Sequence, residues 1–367
     1  MIYFITFIIS GLFANLSFKT ASKKNKFKFF LCAGISIFIP SILAGLRDFS
    51  IGTDVQTYFV PQFNLSRSCA SLHEYLGRRL STGNELFFRS LLYFVGRFTD
   101  DAHWALFAVE LIIMTCVFKG CYDHRDKVNA SFLFIIYLFT YYNLSFNLIR
   151  QSIAMAIVFG YFSYLEQSKY RQFAAAVIVA SLFHSSSILL LSMIAVHYFI
   201  TKGKLREKAL RKLLVIAGVC LLCVSIRAVV YILIGFGFIS NRWLAYVNGR
   251  SVSDELLNTI IYGFECIWLL LNAKQMDKID DNIAFLRLNT YITFILLQLG
   301  RIFYYGNRMS LDFAIINLYT VSYLPMLYYS AKNRRIMRAV IIFVVLFRWW
   351  YIYILNRSGQ TYPYIFA

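Results

Sequence analysis

Apolar runs recur along this chain at lengths that suit one environment, among them Met1–Phe18, Phe27–Gly45, His103–Phe118, Leu213–Ile234 and Ala339–Leu355. As helices rising about 1.5 Å per residue they cover most or all of a hydrocarbon layer about 30 Å thick. No water reaches that layer, so each spanning segment must satisfy its own backbone N–H and C=O groups, which an α-helix does unaided. The expectation is an all-α polytopic membrane protein. Composition agrees, since 59% of the 367 residues are hydrophobic and only 15% are charged. A soluble surface has no place for so many apolar side chains, whereas lipid accepts them on every outward face. With four prolines and no low-complexity tract nothing marks a soluble module, and residues 1–367 read as one integral membrane domain.

Basic residues set the topology. Lys19, Lys23, Lys24, Lys26 and Lys28 follow the first run and place that loop in the cytoplasm, with the N-terminus outside. Counting on from there gives about twelve spans and a C-terminus that is also outside. Residues 46–102 form a first external loop, polar and irregular over 46–84. Within it Glu85–Phe98 reaches only about 21 Å as a helix and carries Arg89 and Arg97, which suits a short interfacial helix. The run 171–200 is interrupted at His184-Ser185-Ser186-Ser187. An outward turn there leaves a short span on either side. A single span would instead carry the cluster from Lys202 to Lys212 to the outside. Residues 235–258 form a second external loop, and Leu288–Phe303 and Ser310–Tyr329 are expected as continuous spans.

The net charge of +19 is therefore taken up by cytoplasmic loops, and no nucleic-acid partner is implied. The seven cysteines fall mostly in or beside apolar runs, so no disulfide framework is expected. The first run begins at Met1 without a basic n-region, unlike a cleavable signal peptide. No cluster has metal-ligand spacing and no glycine-rich nucleotide loop is present, so neither metal nor cofactor is expected.

On this topology every lysine falls in a cytoplasmic loop, and every basic residue of the outer face or the spans is an arginine. A lysine suffices to orient a helix, whereas the planar guanidinium fork is preferred for gripping phosphate or carboxylate in a poorly solvated place. Gly45–Tyr58 opens the longest polar segment and brings Arg47, Asp48, Thr53, Asp54 and Tyr58 to the outer boundary. Glu85, Arg150-Gln151 and His184 meet the same boundary, as do Arg301, Tyr304, Tyr305, Asn307 and Arg308 after Leu288–Phe303. Polar groups at that depth are costly unless they have a use. Arginines beside carboxylates and a histidine suit group transfer from a phosphate-linked donor. The arginines would offset leaving-group charge, and an Asp, Glu or His would take a proton from the attacking hydroxyl.

Leu46-Arg47-Asp48 followed by Gly52-Thr53-Asp54 and Tyr58 resembles the signature of the EpsG-type family of bacterial polysaccharide polymerases, relatives of Wzy-type O-antigen polymerases. Further matches follow in the family's order. Glu85 and Phe88 resemble its Glu-Pro-x-Phe segment, with Leu86 in place of the proline. Asn147-Leu148-Ile149-Arg150-Gln151 resembles its Arg-Gln turn, and Phe183-His184-Ser185-Ser186 its Phe-His-x-Ser turn. Arg301 with Tyr304 or Tyr305, and the terminal Tyr362-Pro363-Tyr364, fit less specifically. The resemblance implies a glycosyltransferase that joins undecaprenyl-diphosphate-linked oligosaccharide units, donor and acceptor alike, at the periplasmic face of the bacterial inner membrane. Membrane lipids and a chain-length regulator would be its further partners. On that reading Asp54 or His184 is the base, and Asp48 and Glu85 orient the sugars. Arg47, Thr53, Tyr58, Arg150, Gln151, Arg301, Tyr305 and Arg308 bind substrate. A flippase or other transporter would instead show polar residues at the bilayer midplane and internal repeats. An O-antigen ligase would use similar groups on a different acceptor.

Overall fold

The computed structural model describes residues 1–21, 25–78, 80, 85–201, 205–236, 255–278, 281–300 and 305–367, and among them the ordered elements are all helical. They form two compact units, Met1–Ile188 with Tyr328–Ala367, and Leu189–Leu327.

In the first unit α1 (Ile2–Ala21) and α2 (Lys26–Gly45) form a hairpin turned by the lysine-rich loop. Pro40 lies inside α2 and removes the N–H that would bond the Ser36 carbonyl. The Ser10 hydroxyl of α1 donates to that carbonyl at 2.5 Å, and the Ser17 hydroxyl donates to Phe29 O at 3.0 Å. In lipid an unsatisfied carbonyl is expensive, so both serines stitch the hairpin and Ser10 also covers the proline's defect. The long helix α6 (His103–Asp123) packs on α2 and on α9 (Ile149–Glu166), and α10 (Tyr170–Phe183) returns along α9. At one end of the α6/α9 pair Lys119 donates to Asp123 Oδ2 at 2.7 Å, and Lys127 donates to Glu166 Oε2 at 2.6 Å. Between them α7 (Ala130–Tyr137), a π-helical turn (Leu138–Tyr142) and the single turn α8 (Asn143–Ser145) make one broken segment. The Ala331–Trp349 helix runs into a second such turn, Trp350–Leu355.

Residues 46–84, expected to be irregular, are largely helical. A π-helical turn (Val55–Phe59) leads into α3 (Val60–Ser68), followed by α4 (Leu72–Gly77), and α5 (Leu86–Phe98) lies across both. Few apolar residues suffice because Phe59, Phe63, Tyr75, Phe88 and Leu92 are all fully buried. Arginines complete the packing. Arg89 lies over the Tyr75 ring and donates to the carbonyls of Tyr75 and Leu76 at the end of α4. Arg97 does the same for α3, donating to Ser66 O at 2.8 Å and Arg67 O at 3.1 Å. Helix C-termini carry unpaired carbonyls and partial negative charge, which a guanidinium answers. These two arginines are structural, so the anionic-ligand reading of the outer arginines does not extend to them.

In the second unit lie the helices Ser192–Thr201, Leu205–Gly235, Glu255–Leu271 and Asp281–Leu299. Ser310–Tyr329, expected as one span, is broken into Tyr305–Ala314, Asn317–Tyr323 and a 3-10 turn, Leu324–Leu327. Asn289 bridges the break: its side-chain amide donates to Phe313 O at 3.0 Å, alongside the Ile316 N–H, and to Asn317 Oδ1 at 2.7 Å. Most of the expected second external loop, residues 237–254, lies outside the described residues. Five described helices are long and apolar enough to cross a bilayer: Ile2–Ala21, Lys26–Gly45, His103–Asp123, Asn282–Leu299 and Ala331–Leu355. With the shorter apolar helices beside them, they make this an all-α membrane protein.

Candidate active site

The loop leaving α2 is built by short-range bonds. The Asp48 carboxylate accepts from the Ser50 N–H at 2.9 Å and the Ser50 hydroxyl at 2.6 Å, which hold its carboxyl below the ordinary range. The Phe49 ring stacks on His103 at 4.1 Å and fastens the loop to α6. Gly52 has φ +95°, and a Cβ there would collide with the Phe146 carbonyl oxygen, so the two backbones touch. The Thr53 N–H and hydroxyl both donate to Asn147 Oδ1, at 2.8 and 3.0 Å. Asp54 then stands immediately before the π-helical turn that carries Tyr58, its side chain making no cap bond to that turn's backbone.

Three other segments meet this turn. Arg150 stands on the first turn of α9, where the partial positive charge of a helix N-terminus disfavours a cation. A carboxylate offsets that cost: Glu85 Oε2, from the residue preceding α5, lies 2.5 Å from Arg150 Nη1. The guanidinium lies 4.8 Å from the centre of the Tyr58 ring, and the Tyr58 hydroxyl hydrogen-bonds both to it and to Asp54. Burial, and then the Asp54 carboxylate, push the Tyr58 phenol above the ordinary tyrosine range. It therefore stays protonated, accepting from the arginine and donating to the aspartate. The other oxygen of the glutamate, Oε1, is 3.9 Å from His184 Nδ1. His184 ends α10 in an extended conformation, its N–H bonded to Ala180 O at 3.0 Å.

The result is a row of groups, Asp54, Tyr58, Arg150, Glu85 and His184, drawn from four places in the sequence. Side-chain exposure of 17% for Arg150, 11% for Glu85 and 10% for His184 leaves a narrow accessible face. Such a row can take a proton at the imidazole, stabilise the resulting cation with Glu85, and offer guanidinium N–H groups to an anion. Among the described residues no three His, Cys, Asp or Glu side chains stand close enough to hold a metal ion.

Other expected site residues are placed differently. Arg47 is only 2% exposed, with its guanidinium 3.8 Å from the centre of the Phe146 ring and Glu110, Tyr142, Tyr3 and Tyr364 as its charged or polar neighbours. None of these belongs to the row, so Arg47 is internal. Asp48 is spent on its own turn, Thr53 on Asn147, and Gln151 is buried at 2% exposure. Arg301 and the Tyr305 side chain lie outside the described residues, and Arg308 belongs to the second unit, in the Tyr305–Ala314 helix. Sequence reasoning also passed over Glu110, a carboxylate inside an apolar run, which accepts from the Ser145 hydroxyl at 2.7 Å. An acid in such a run is itself a signal.

Fold and site together define a helical membrane protein with a partly buried row of ionisable groups beside a helix N-terminus. The chain belongs to the EpsG family, whose model matches residues 29–366 and so covers every member of the row. That membership carries a polysaccharide-polymerase type of role. No curated protein and no solved structure matches the chain.

Proposed function

We propose that this protein is a glycosyltransferase that joins undecaprenyl-diphosphate-linked oligosaccharide units at the periplasmic face of the inner membrane, within a topology of about twelve spans. The observation that carries the reading is the Arg150–Glu85–His184 contact set, with Tyr58 and Asp54 behind the arginine. A hydroxyl of the acceptor unit attacks the anomeric carbon of the donor chain, whose bond to the diphosphate breaks. The hydroxyl proton passes to His184, and Glu85 stabilises the imidazolium. The departing polyprenyl diphosphate takes the bonding electrons, and Arg150 offsets its charge. Asp54, held by Tyr58, is the alternative base. Arg301, Tyr305 and Arg308 remain candidate ligands on sequence grounds.

The test is a surface-polysaccharide gel from a strain lacking this gene, complemented with wild type, His184→Ala or Asp54→Ala. The expected result is a ladder with wild type and a single repeat unit on the carrier core with His184→Ala. Loss of every repeat unit from the core would point to flipping or ligation and overturn the reading. A full ladder with His184→Ala but none with Asp54→Ala would transfer the base role to Asp54.

A further inference from the structure

The segment Ser145–Asn147, running from the last residue of α8 toward α9, takes no part in the chemistry above, yet each of its residues is held by a distant part of the first unit. Ser145 is bonded to Glu110 of α6 at 2.7 Å. The ring of Phe146 carries the Arg47 guanidinium at 3.8 Å, and its carbonyl fills the space that Gly52 leaves by lacking a Cβ. Asn147 accepts both Thr53 donors on one oxygen. Its amide nitrogen lies against Gly359, where φ is +67° and a Cβ would collide with that nitrogen. Two glycines in the left-handed region thus face one short segment from opposite ends of the chain, a conformation that other residues adopt only under strain.

The consequence concerns the row of ionisable groups. Asn147 stands three residues before Arg150, and Thr53 one residue before Asp54. The Asn147–Thr53 contact is therefore a second tie between the same two segments that Tyr58 joins through Arg150 and Asp54. Tyr58 sits on a π-helical turn, a geometry frequent at functional sites, and the Asn147 contact ties the residue two before that turn from outside.

We propose that Asn147 is a positioning residue that sets Asp54 and Tyr58 against Arg150, and that Thr53 acts through Asn147 rather than on the substrate. The inference rests on the polymerase reading of the row. It is tested with the full chain in nanodiscs and a lipid-diphosphate-linked oligosaccharide as probe, comparing Asn147→Ala, Asn147→Asp, Thr53→Val and the Asn147→Ala/Thr53→Val double variant. Misplacement by about an ångström costs up to about a hundredfold in rate. Asn147→Ala is expected to lower kcat about ten- to a hundredfold, and Thr53→Val, which keeps the backbone N–H donor, by a smaller factor, each with KM within about twofold at wild-type protein level. The double variant should be no slower than Asn147→Ala alone. Asn147→Asp, which keeps the accepting oxygen, should retain most of the rate. Hydrogen exchange of the 52–59 peptide should rise in Asn147→Ala and not in Asn147→Asp. Losses that multiply in the double variant, a Thr53→Val loss confined to KM, or unchanged exchange in Asn147→Ala would each overturn the proposal. If wild type makes no polymer from the probe, the polymerase reading has failed, and the exchange comparison still decides whether Asn147 holds the loop.

Discussion

Arg150 occupies the end of α9 least hospitable to a cation, and Glu85 at 2.5 Å is what allows it to stay there. Replacing Glu85 with Gln strands that charge. Loss of one partner of a buried pair costs about 3–5 kcal/mol, and the residual exposure here lowers that toward 2–3 kcal/mol. Thermal unfolding in detergent should show the drop, and an unchanged midpoint would mean that Tyr58 alone holds the arginine. Arg150→Lys keeps the charge but loses the fork that reaches Glu85 and Tyr58 together. It is expected to abolish most polymer formation at normal membrane level, and a full ladder on the gel would refute that role. Gly52→Ala should cost about 1–3 kcal/mol because the left-handed φ and the Phe146 carbonyl both oppose a Cβ. At this scale Asp54, Glu85, Arg150 and His184 were legible as ionisable residues at polar breaks between apolar runs. Their partners were not, because partner choice depends on distances across chain separations such as Glu85 to Arg150.

At the scale of elements, the short helices α3, α4 and α5 deliver Tyr58 and Glu85 to the site. The 13-residue length of α5 was legible from its apolar run. The helicity of residues 55–77 was not, since their apolar positions are too sparse to mark a helix until Arg89 and Arg97 close the carbonyl ends. Arg89 is 2% exposed, and Arg89→Met should leave the Leu76 carbonyl without its guanidinium donor and the Tyr75 carbonyl with only the Arg78 N–H, at a cost of about 1–3 kcal/mol. Protease nicking between α4 and α5 would report the loosening, and wild-type resistance would count against a structural role. The C-terminal residues behave as an element too. Asp48 N–H bonds Ile365 O at 2.9 Å, Ala367 N–H bonds Leu46 O at 3.0 Å, and the Tyr364 hydroxyl bonds Leu43 O at 2.6 Å. The segment after the last helix thus braces the loop that leads to Gly52.

For the whole molecule, the Lys119 end of α6 and the Glu166 end of α9, which Lys127 pairs, lie a full helix length from His103 and Arg150, at the ends expected in the cytoplasm. Single cysteines placed at exposed Gln56 and Asp126 should therefore label from opposite sides of the membrane. Labelling of both from one side would overturn the proposed orientation. The sequence by itself determined the class, because apolar length and lysine placement answer to the bilayer, and a bilayer acts on each segment separately. It also picked out the polar breaks at Asp54, Glu85, Arg150 and His184, whose side chains stand together in the first unit. Only the tertiary structure decided that Arg47 is internal, that Tyr58 links an arginine to an aspartate, and that Asn147 ties the loop to α9. Those outcomes depend on which side chains meet when helices distant in sequence pack, and neither periodicity nor charge along the chain encodes that.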